Sequence, residues 1–305
     1  GSACDVWAGG IAVLKSDELP SYNQALEGVQ AALLQSAPIV EYVVPEQVAD
    51  ARRIGQTVRA SRPNLVIAIG LRAAVAAKLE IPKIPTVFCL VLSPERYGLP
   101  ASNMVGISMH PSVEYQLASV QSIAPHAKRI GLLHSHATEA SFLADIKRQA
   151  GQHGLDLLTV GVSEDRDVPA AVAQLQAIDL LWVVPDPTIV TGQSVEFLLA
   201  YSFESHVPLF AFSPALVQHG AVGAAYSDPR DMGLQAGRLA SRMLRGESIP
   251  SLGTLVPGEQ PRFAVNVRSA EHFGLSLSAS TMQAASARFG SESLAQGNAP
   301  PTLVP

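Results

Sequence analysis

Two aspartates, one arginine and a set of hydroxyls stand where short apolar runs of this sequence stop. Ser16 and Asp17 follow Gly10-Ile-Ala-Val-Leu-Lys15, Arg72 follows Asn64-Leu-Val-Ile-Ala-Ile-Gly70, and Ser93 follows Thr86-Val-Phe-Cys-Leu-Val-Leu92. Ser135 and Ser141 lie around the end of Arg129-Ile-Gly-Leu-Leu-His134. Asp186 and Thr188 follow Asp179-Leu-Leu-Trp-Val-Val-Pro185, and Ser213 follows Pro208-Leu-Phe-Ala-Phe212. Hydroxyls and helix amino-termini suit a carboxylate, and an aspartate suits an ammonium group. The pairing fits an amino acid or a similar small zwitterion. Tyr22, Tyr97, Phe212 and Tyr226 are candidates for apolar or stacking walls of the same site.

Each of these residues has a plainer use. Ser16 and Asp17 are equally suited to capping the helix that follows them. Arg72 either grips an anionic group through its planar fork or points to solvent. The aromatics serve as core more often than as wall, except Tyr226. Asp186 has the strongest functional case, because it comes so soon after a buried run, and a loop at that place carries little of the core.

Catalysis finds little support. No Gly-x-Gly-x-x-Gly follows a strand, and there is no phosphate-binding Gly-Lys-Ser/Thr loop and no Gly-x-Ser-x-Gly nucleophile turn. The histidines are scattered. His134 and His136 are close, but without a placed cysteine or carboxylate they make a poor metal site. No catalytic residue, metal or cofactor is expected.

The runs that end in these residues are apolar on both faces. Such strands occur where helices cover both sides of a parallel sheet, and ligands of such sheets sit just beyond the carboxyl ends of the strands. Strands are expected over 10–15, 39–44, 64–70, 86–92 and 103–108, alternating with helices over 20–35, 46–60 and 73–79. The alternation then restarts. Strands are expected over 129–134, 155–162, 179–185 and 208–212, with helices over 139–152, 168–176 and 194–205. Residues 221–226 read as a further strand, and 229–245 as an amphipathic helix with Arg238, Arg242 and Arg245 toward its carboxyl end. The fold class is therefore α/β, with two similar lobes, each a parallel sheet flanked by helices. After Thr281 the sequence turns to Ser, Ala, Gly, Gln and Pro, which reads as a loosely attached polar tail.

The totals agree with this reading. The 305 residues are enough for two moderate domains, charged residues are only 15%, and the net charge of −5 offers no basic run for nucleic acid. No apolar stretch reaches the roughly 18 residues that span a bilayer. Cys89 sits in an apolar strand and reads as core. Ala3-Cys4 has the order that a lipoprotein cleavage site leaves behind, although the leucine expected upstream is missing. A plain unpaired terminal cysteine is the equal alternative.

Several segments in order resemble one family. They are Ser16-Asp17 with Tyr22-Asn-Gln-Ala-Leu-Glu-Gly28, Asn103-Met-Val-Gly-Ile-Ser108, Ile123-Ala-Pro-His-Ala-Lys-Arg-Ile-Gly-Leu-Leu133 and Asp186-Pro-Thr188. They continue with Pro208-Leu-Phe-Ala-Phe-Ser213, Val217-Gln-His-Gly220, Met232-Gly-Leu-Gln-Ala-Gly237 and Ala264-Val-Asn-Val-Arg-Ser-Ala270. Together they are similar to the ABC-transporter solute-binding proteins of the tryptophan/aromatic-amino-acid-binding type, which have the type I periplasmic binding fold. Arg72 departs from that pattern, where a small polar residue is usual.

The resemblance implies a three-crossing hinge, with crossings near Ser108, Ser227 and Arg262. The first lobe would be 7–108 plus 229–262, the second 109–228 plus 263–277, and 278–305 a flexible tail. It also implies a non-enzymatic, periplasmic protein, secreted across the inner membrane, with a lipid anchor at Cys4 as one form. Such a protein clamps its ligand between the lobes and delivers it to an ABC permease. The alternative is a periplasmic sensor that reports to a membrane signalling partner.

Overall fold

The computed structural model describes residues 9–33, 38–136, 138 and 140–291. Cys4 and the end of the polar segment lie outside the described residues. The chain divides into two units. Unit 1 comprises Gly1–Met109 and Ser227–Gln260, and unit 2 comprises His110–Tyr226 and Pro261–Pro305, so the chain passes between them three times.

Unit 1 opens with β1 (Ile11–Lys15), α1 (Pro20–Leu33), β2 (Ile39–Val43), α2 (Val48–Ala60) and β3 (Leu65–Ile69). It continues with α3 (Leu71–Glu80), β4 (Thr86–Cys89) and β5 (Met104–Ile107). Unit 2 then contributes α4 (Val113–Ile123), β6 (Arg129–Ser135), α5 (Ala140–Gln152), β7 (Asp156–Val162) and α6 (Val168–Gln174). After these come β8 (Leu180–Trp182), α7 (Gly192–Glu204), β9 (Leu209–Ala211), α8 (Pro214–Gln218) and β10 (Gly223–Ser227). The chain returns to unit 1 for α9 (Pro229–Leu244), α10 (Ile249–Leu252) and β11 (Leu255–Val256). It ends in unit 2 with β12 (Pro261–Asn266), α11 (Val267–His272), α12 (Ala279–Ala284) and β13 (Ala287–Phe289).

The sheet of unit 1 has the order β11-β5-β4-β3-β1-β2, with every pairing parallel. In unit 2 the order is β13-β12-β10-β9-β8-β6-β7. There β6–β7, β6–β8, β8–β9, β9–β10 and β12–β13 pair parallel. The doubled α/β architecture expected from the apolar runs is thus present. Side-chain alternation explains why the runs are apolar throughout. Ile11 and Val13 of β1 join a core with α1 and α9, while Ala12 and Leu14 join another with α2 and α3. Unit 2 repeats this, with Leu181 packed toward α6 and α7, and Leu180 and Trp182 toward α4 and α5. Strands covered on both faces have no polar side to show.

Helix α9 is in unit 1 because its apolar face closes on α1, where Met232, Ala236, Leu239 and Ala240 meet Ala25, Leu26 and Val29. The approach is backbone to backbone. A Cβ on Gly233 would lie 1.9 Å from the Ala25 carbonyl oxygen, so no larger residue fits without separating the helices. Gln235 then ties the returning segment down. Its amide donates to the Pro257 carbonyl at 2.9 Å and its oxygen accepts from the Glu259 N–H at 3.0 Å.

Two expectations need correction. Residues 278–291 are not a loose tail. Ser278 caps α12 through the Thr281 N–H, Thr281 is 4% exposed, and β13 pairs with β12. Three residues of strand among Ser and Gly are too short to show a period. Helix α4, to which the sequence pattern gave no element, is set by Ser112 at its amino-terminus and by Leu117, Val120 and Ile123 on its buried side. Among the described residues no helix is long and apolar enough to cross a membrane.

Candidate functional site

In unit 1 the loops at the carboxyl ends of β1 and β3 are knitted together. Helix α3 begins at Gly70, which has φ +88° and no side chain to cap the helix. The hydroxyl of Ser16, arriving from β1, supplies the cap and accepts the Ala73 N–H at 3.0 Å. Ser16 therefore does cap a helix, but α3 rather than the α1 that follows it. Glycine is required at position 70 on two counts. Its φ is positive, and a Cβ would stand 2.6 Å from Ser16 Oγ and 2.8 Å from Tyr22 Cζ.

Arg72 is engaged within unit 1 rather than extended into solvent. Its Nη2 donates to the Ser16 carbonyl and pairs with Asp17 Oδ2 at 3.2 Å, and its side chain is one-third exposed. The other carboxylate oxygen of Asp17 accepts the Glu18 N–H at 2.8 Å. Tyr22 is half-buried beside these groups. Burial pushes its phenol up, the Arg72 cation works against that, and the Asp17 carboxylate adds to it. Ser16, Asp17, Tyr22 and Arg72 are thus gathered at one sheet edge.

A buried cation that the sequence reading passed over completes the group. Lys15 is 4% exposed and donates to Glu18 Oε2 at 2.8 Å and Asn23 Oδ1 at 2.7 Å. The available signal was a lysine closing an apolar strand, since a buried ammonium needs partners close by. The loop after β4 is held differently. Leu90 and Ser93 adopt φ of +55° and +46°, conformations that non-glycine residues hold at a cost of about 1–3 kcal/mol each. Such strain is typical of ligand loops. Ser93 precedes the short 3-10 turn Pro94–Tyr97, where Tyr97 is 41% exposed and its carbonyl accepts from Lys78 at 2.8 Å. Cys89, ending β4, is fully buried, and burial pushes its thiol up to about 12.

In unit 2 the corresponding edge is organised by Asp186. The residue is 8% exposed, and its carboxylate accepts the Ser135 N–H at 3.2 Å and the Thr188 N–H at 2.9 Å. Its carbonyl takes the N–H groups of Ile189 and Val190 at 3.0 and 2.7 Å. One residue therefore shapes the β8 loop and links it to the end of β6. This corrects the expectation that a loop aspartate would bear little on stability. The Ser135 hydroxyl lies 3.3 Å from that of Thr138. His110, also absent from the sequence reading, is held down to about 4 by burial, with Asp186 working the other way. It is therefore neutral at pH 7.

Ser213 accepts the Leu216 N–H at 3.4 Å and so caps α8. Phe212 and Tyr226 are partly buried against the α6–α8 core. The side chain of Ser141 lies outside the described residues. Ser135, Asp186 and Thr188 converge, whereas Ser213, Phe212 and Tyr226 are placed by the core and by capping. Among the described residues no three His, Cys, Asp or Glu side chains are grouped to hold a metal ion.

Comparison with known proteins bears on what these edges serve. Residues 10–288 match the sequence pattern of the ABC transporter substrate binding protein family. A tyrosine-binding protein of Clostridioides difficile is 27% identical over 197 residues. That match takes in 62% of this chain and 56% of the relative, so the chain spans little more than half the relative's length. The ligand-free, open structure of a substrate binding protein with adhesive properties from Clostridium difficile superposes with a TM-score of 0.72. It shares 22% identity, over 91% of this chain and 98% of the other. A Streptococcus pneumoniae ABC domain in complex with L-Trp gives a TM-score of 0.65 at 20% identity, over 92% and 100% of the two chains. At these identities the two structures show a common fold.

Proposed function

The chain belongs to the ABC transporter substrate-binding protein family, and from that footing we propose that it captures a small zwitterion, an aromatic amino acid, outside the cytoplasm and passes it to a membrane permease. The observation that carries this is the buried Asp186 carboxylate at the carboxyl end of β8, held in place by the Ser135 and Thr188 N–H groups. A carboxylate at a strand end suits an ammonium group, and a charge-assisted bond of this kind stabilises by about 1.5–3 kcal/mol. Within unit 1, the Ser16 hydroxyl and Tyr22 stand together at strand ends of the same kind, and groups of these types suit a carboxylate and an aromatic ring. The ligands named for two of the similar proteins, L-Trp and tyrosine, favour the aromatic class. No reacting group is required, and the role is that of a carrier.

Thermal unfolding in the presence of L-tyrosine, L-tryptophan and a panel of aliphatic and acidic amino acids tests the proposal. A ligand at 100 times its dissociation constant stabilises by about 2.7 kcal/mol, and an aromatic amino acid should give the largest shift. The absence of a shift with every amino acid at millimolar concentration would remove this reading.

A further inference from the structure

We infer that Arg72 is a positioning residue, which braces the loop between β1 and α1 in its binding shape and leaves the ligand carboxylate to other groups. This rests on the amino-acid reading above. The argument begins with the loop itself. Residues 16–19 lie between the end of β1 and the start of α1, and their shape is fixed largely by side chains. Lys15 holds Glu18 and Asn23, the Ser16 hydroxyl holds the Ala73 N–H, and Asp17 holds the Glu18 N–H. Arg72 closes the set from α3 by engaging both the Ser16 carbonyl and the Asp17 carboxylate.

Two features favour the brace over the simpler role of an anion grip. First, the guanidinium charge is already met by Asp17 within the same unit, at 3.2 Å. A ligand carboxylate at Nη2 would have to displace both that carboxylate and a backbone carbonyl. Second, the acceptors are a main-chain oxygen and a side chain of adjacent residues, and one nitrogen, Nη2, serves both. A lysine lacks the planar group that fixes the direction of the two N–H bonds on that nitrogen, so it does not hold the same pair in fixed geometry. The brace fixes Ser16 and Asp17 relative to Gly70 and Tyr22, which form the rest of the unit 1 edge.

The test compares L-tyrosine with tyramine, which lacks the carboxylate, by calorimetry and by competition, in the wild type, Arg72→Ala, Arg72→Lys and Asp17→Asn. Hydrogen exchange at the Glu18 and Ala73 amides is followed in the ligand-free proteins. A brace predicts that Arg72→Ala weakens both ligands by the same factor, on the order of tenfold, so that the preference for L-tyrosine over tyramine is kept. It also predicts faster exchange at Glu18 and Ala73, little recovery in Arg72→Lys, and effects of Arg72→Ala and Asp17→Asn that are not additive. If Arg72→Ala abolishes the preference for L-tyrosine, the arginine grips the carboxylate and the inference is wrong. Unchanged exchange at both amides overturns it equally. Should the wild type bind neither probe, the amino-acid reading fails, and the exchange measurement alone then decides the brace.

Discussion

Replacing Asp186 by asparagine should cost unit 2 about 2–3 kcal/mol, apart from any effect on ligand. The carboxylate takes two backbone N–H groups, from Ser135 at 3.2 Å and Thr188 at 2.9 Å, on opposite oxygens. Asparagine has one oxygen to offer. Its amide must face one of the two donors, so one charge-assisted bond is lost and an N–H is left without its partner at a site only 8% exposed. Losing such a bond costs about 1.5–3 kcal/mol, and the surviving bond weakens because its acceptor is no longer charged. Urea unfolding followed by Trp182 fluorescence reports on unit 2, provided Trp7, the other tryptophan, is changed to phenylalanine. With m of about 1–3 kcal/mol/M, the midpoint should fall by roughly 1 M. On the proposed role of Asp186 as ammonium partner, affinity for an amino acid should fall by about ten- to a hundredfold. A stability change below about 0.5 kcal/mol would show that the two N–H groups find other acceptors, and the structural argument would fail. Unchanged affinity would separate Asp186 from the ligand.

Three further outcomes are expected. Gly233→Ala should destabilise unit 1 by about 3 kcal/mol or more, because its Cβ would lie 1.9 Å from the Ala25 carbonyl oxygen and α1 must move away from α9; a loss under 1 kcal/mol in chemical denaturation would count against the close contact. Trp182→Phe should stay within about 1 kcal/mol of the wild type, because the indole N–H is buried without a partner and its removal offsets lost packing; a loss of 3 kcal/mol measured by circular dichroism would contradict this. For His110 the native imidazole is held down to about 4 by burial. It stays neutral while the unfolded chain takes up a proton below about 6.5, so its contribution is complete above that pH and is lost as pH falls toward 4. Stability should drop by about 2 kcal/mol between pH 7.5 and pH 5, and His110→Gln should remove most of that drop. A pH profile unchanged by the substitution would refute it.

Local pattern settled a great deal of this protein. The runs at 65–69 and 180–184 are apolar at every position because helices cover both faces of the sheets, and that condition is written into each strand separately. The same holds for α9, whose apolar stripe and terminal arginines are read within one helix. The return of α9 to the first unit entered only with the resemblance to a known family, and strand order only with the structure, since periodicity says nothing about which helix a stripe will meet. The sheet-edge position of Ser16, Asp17, Arg72, Asp186 and Thr188 was likewise legible, because a strand end is visible where an apolar run stops. Their partners were not. Ser16 caps a helix 57 residues away, Arg72 pairs with Asp17 across 55, and Asp186 holds the Ser135 N–H across 51. His110 carries no sequence mark of its burial, Lys15 only its place at the end of an apolar strand, and β13 is too short to show a period. The sequence by itself determined where strands end and which polar groups stand there, because both depend on neighbours in the chain. Only the tertiary structure decided which of those groups satisfy one another, because parallel strands bring together loops that are remote in sequence.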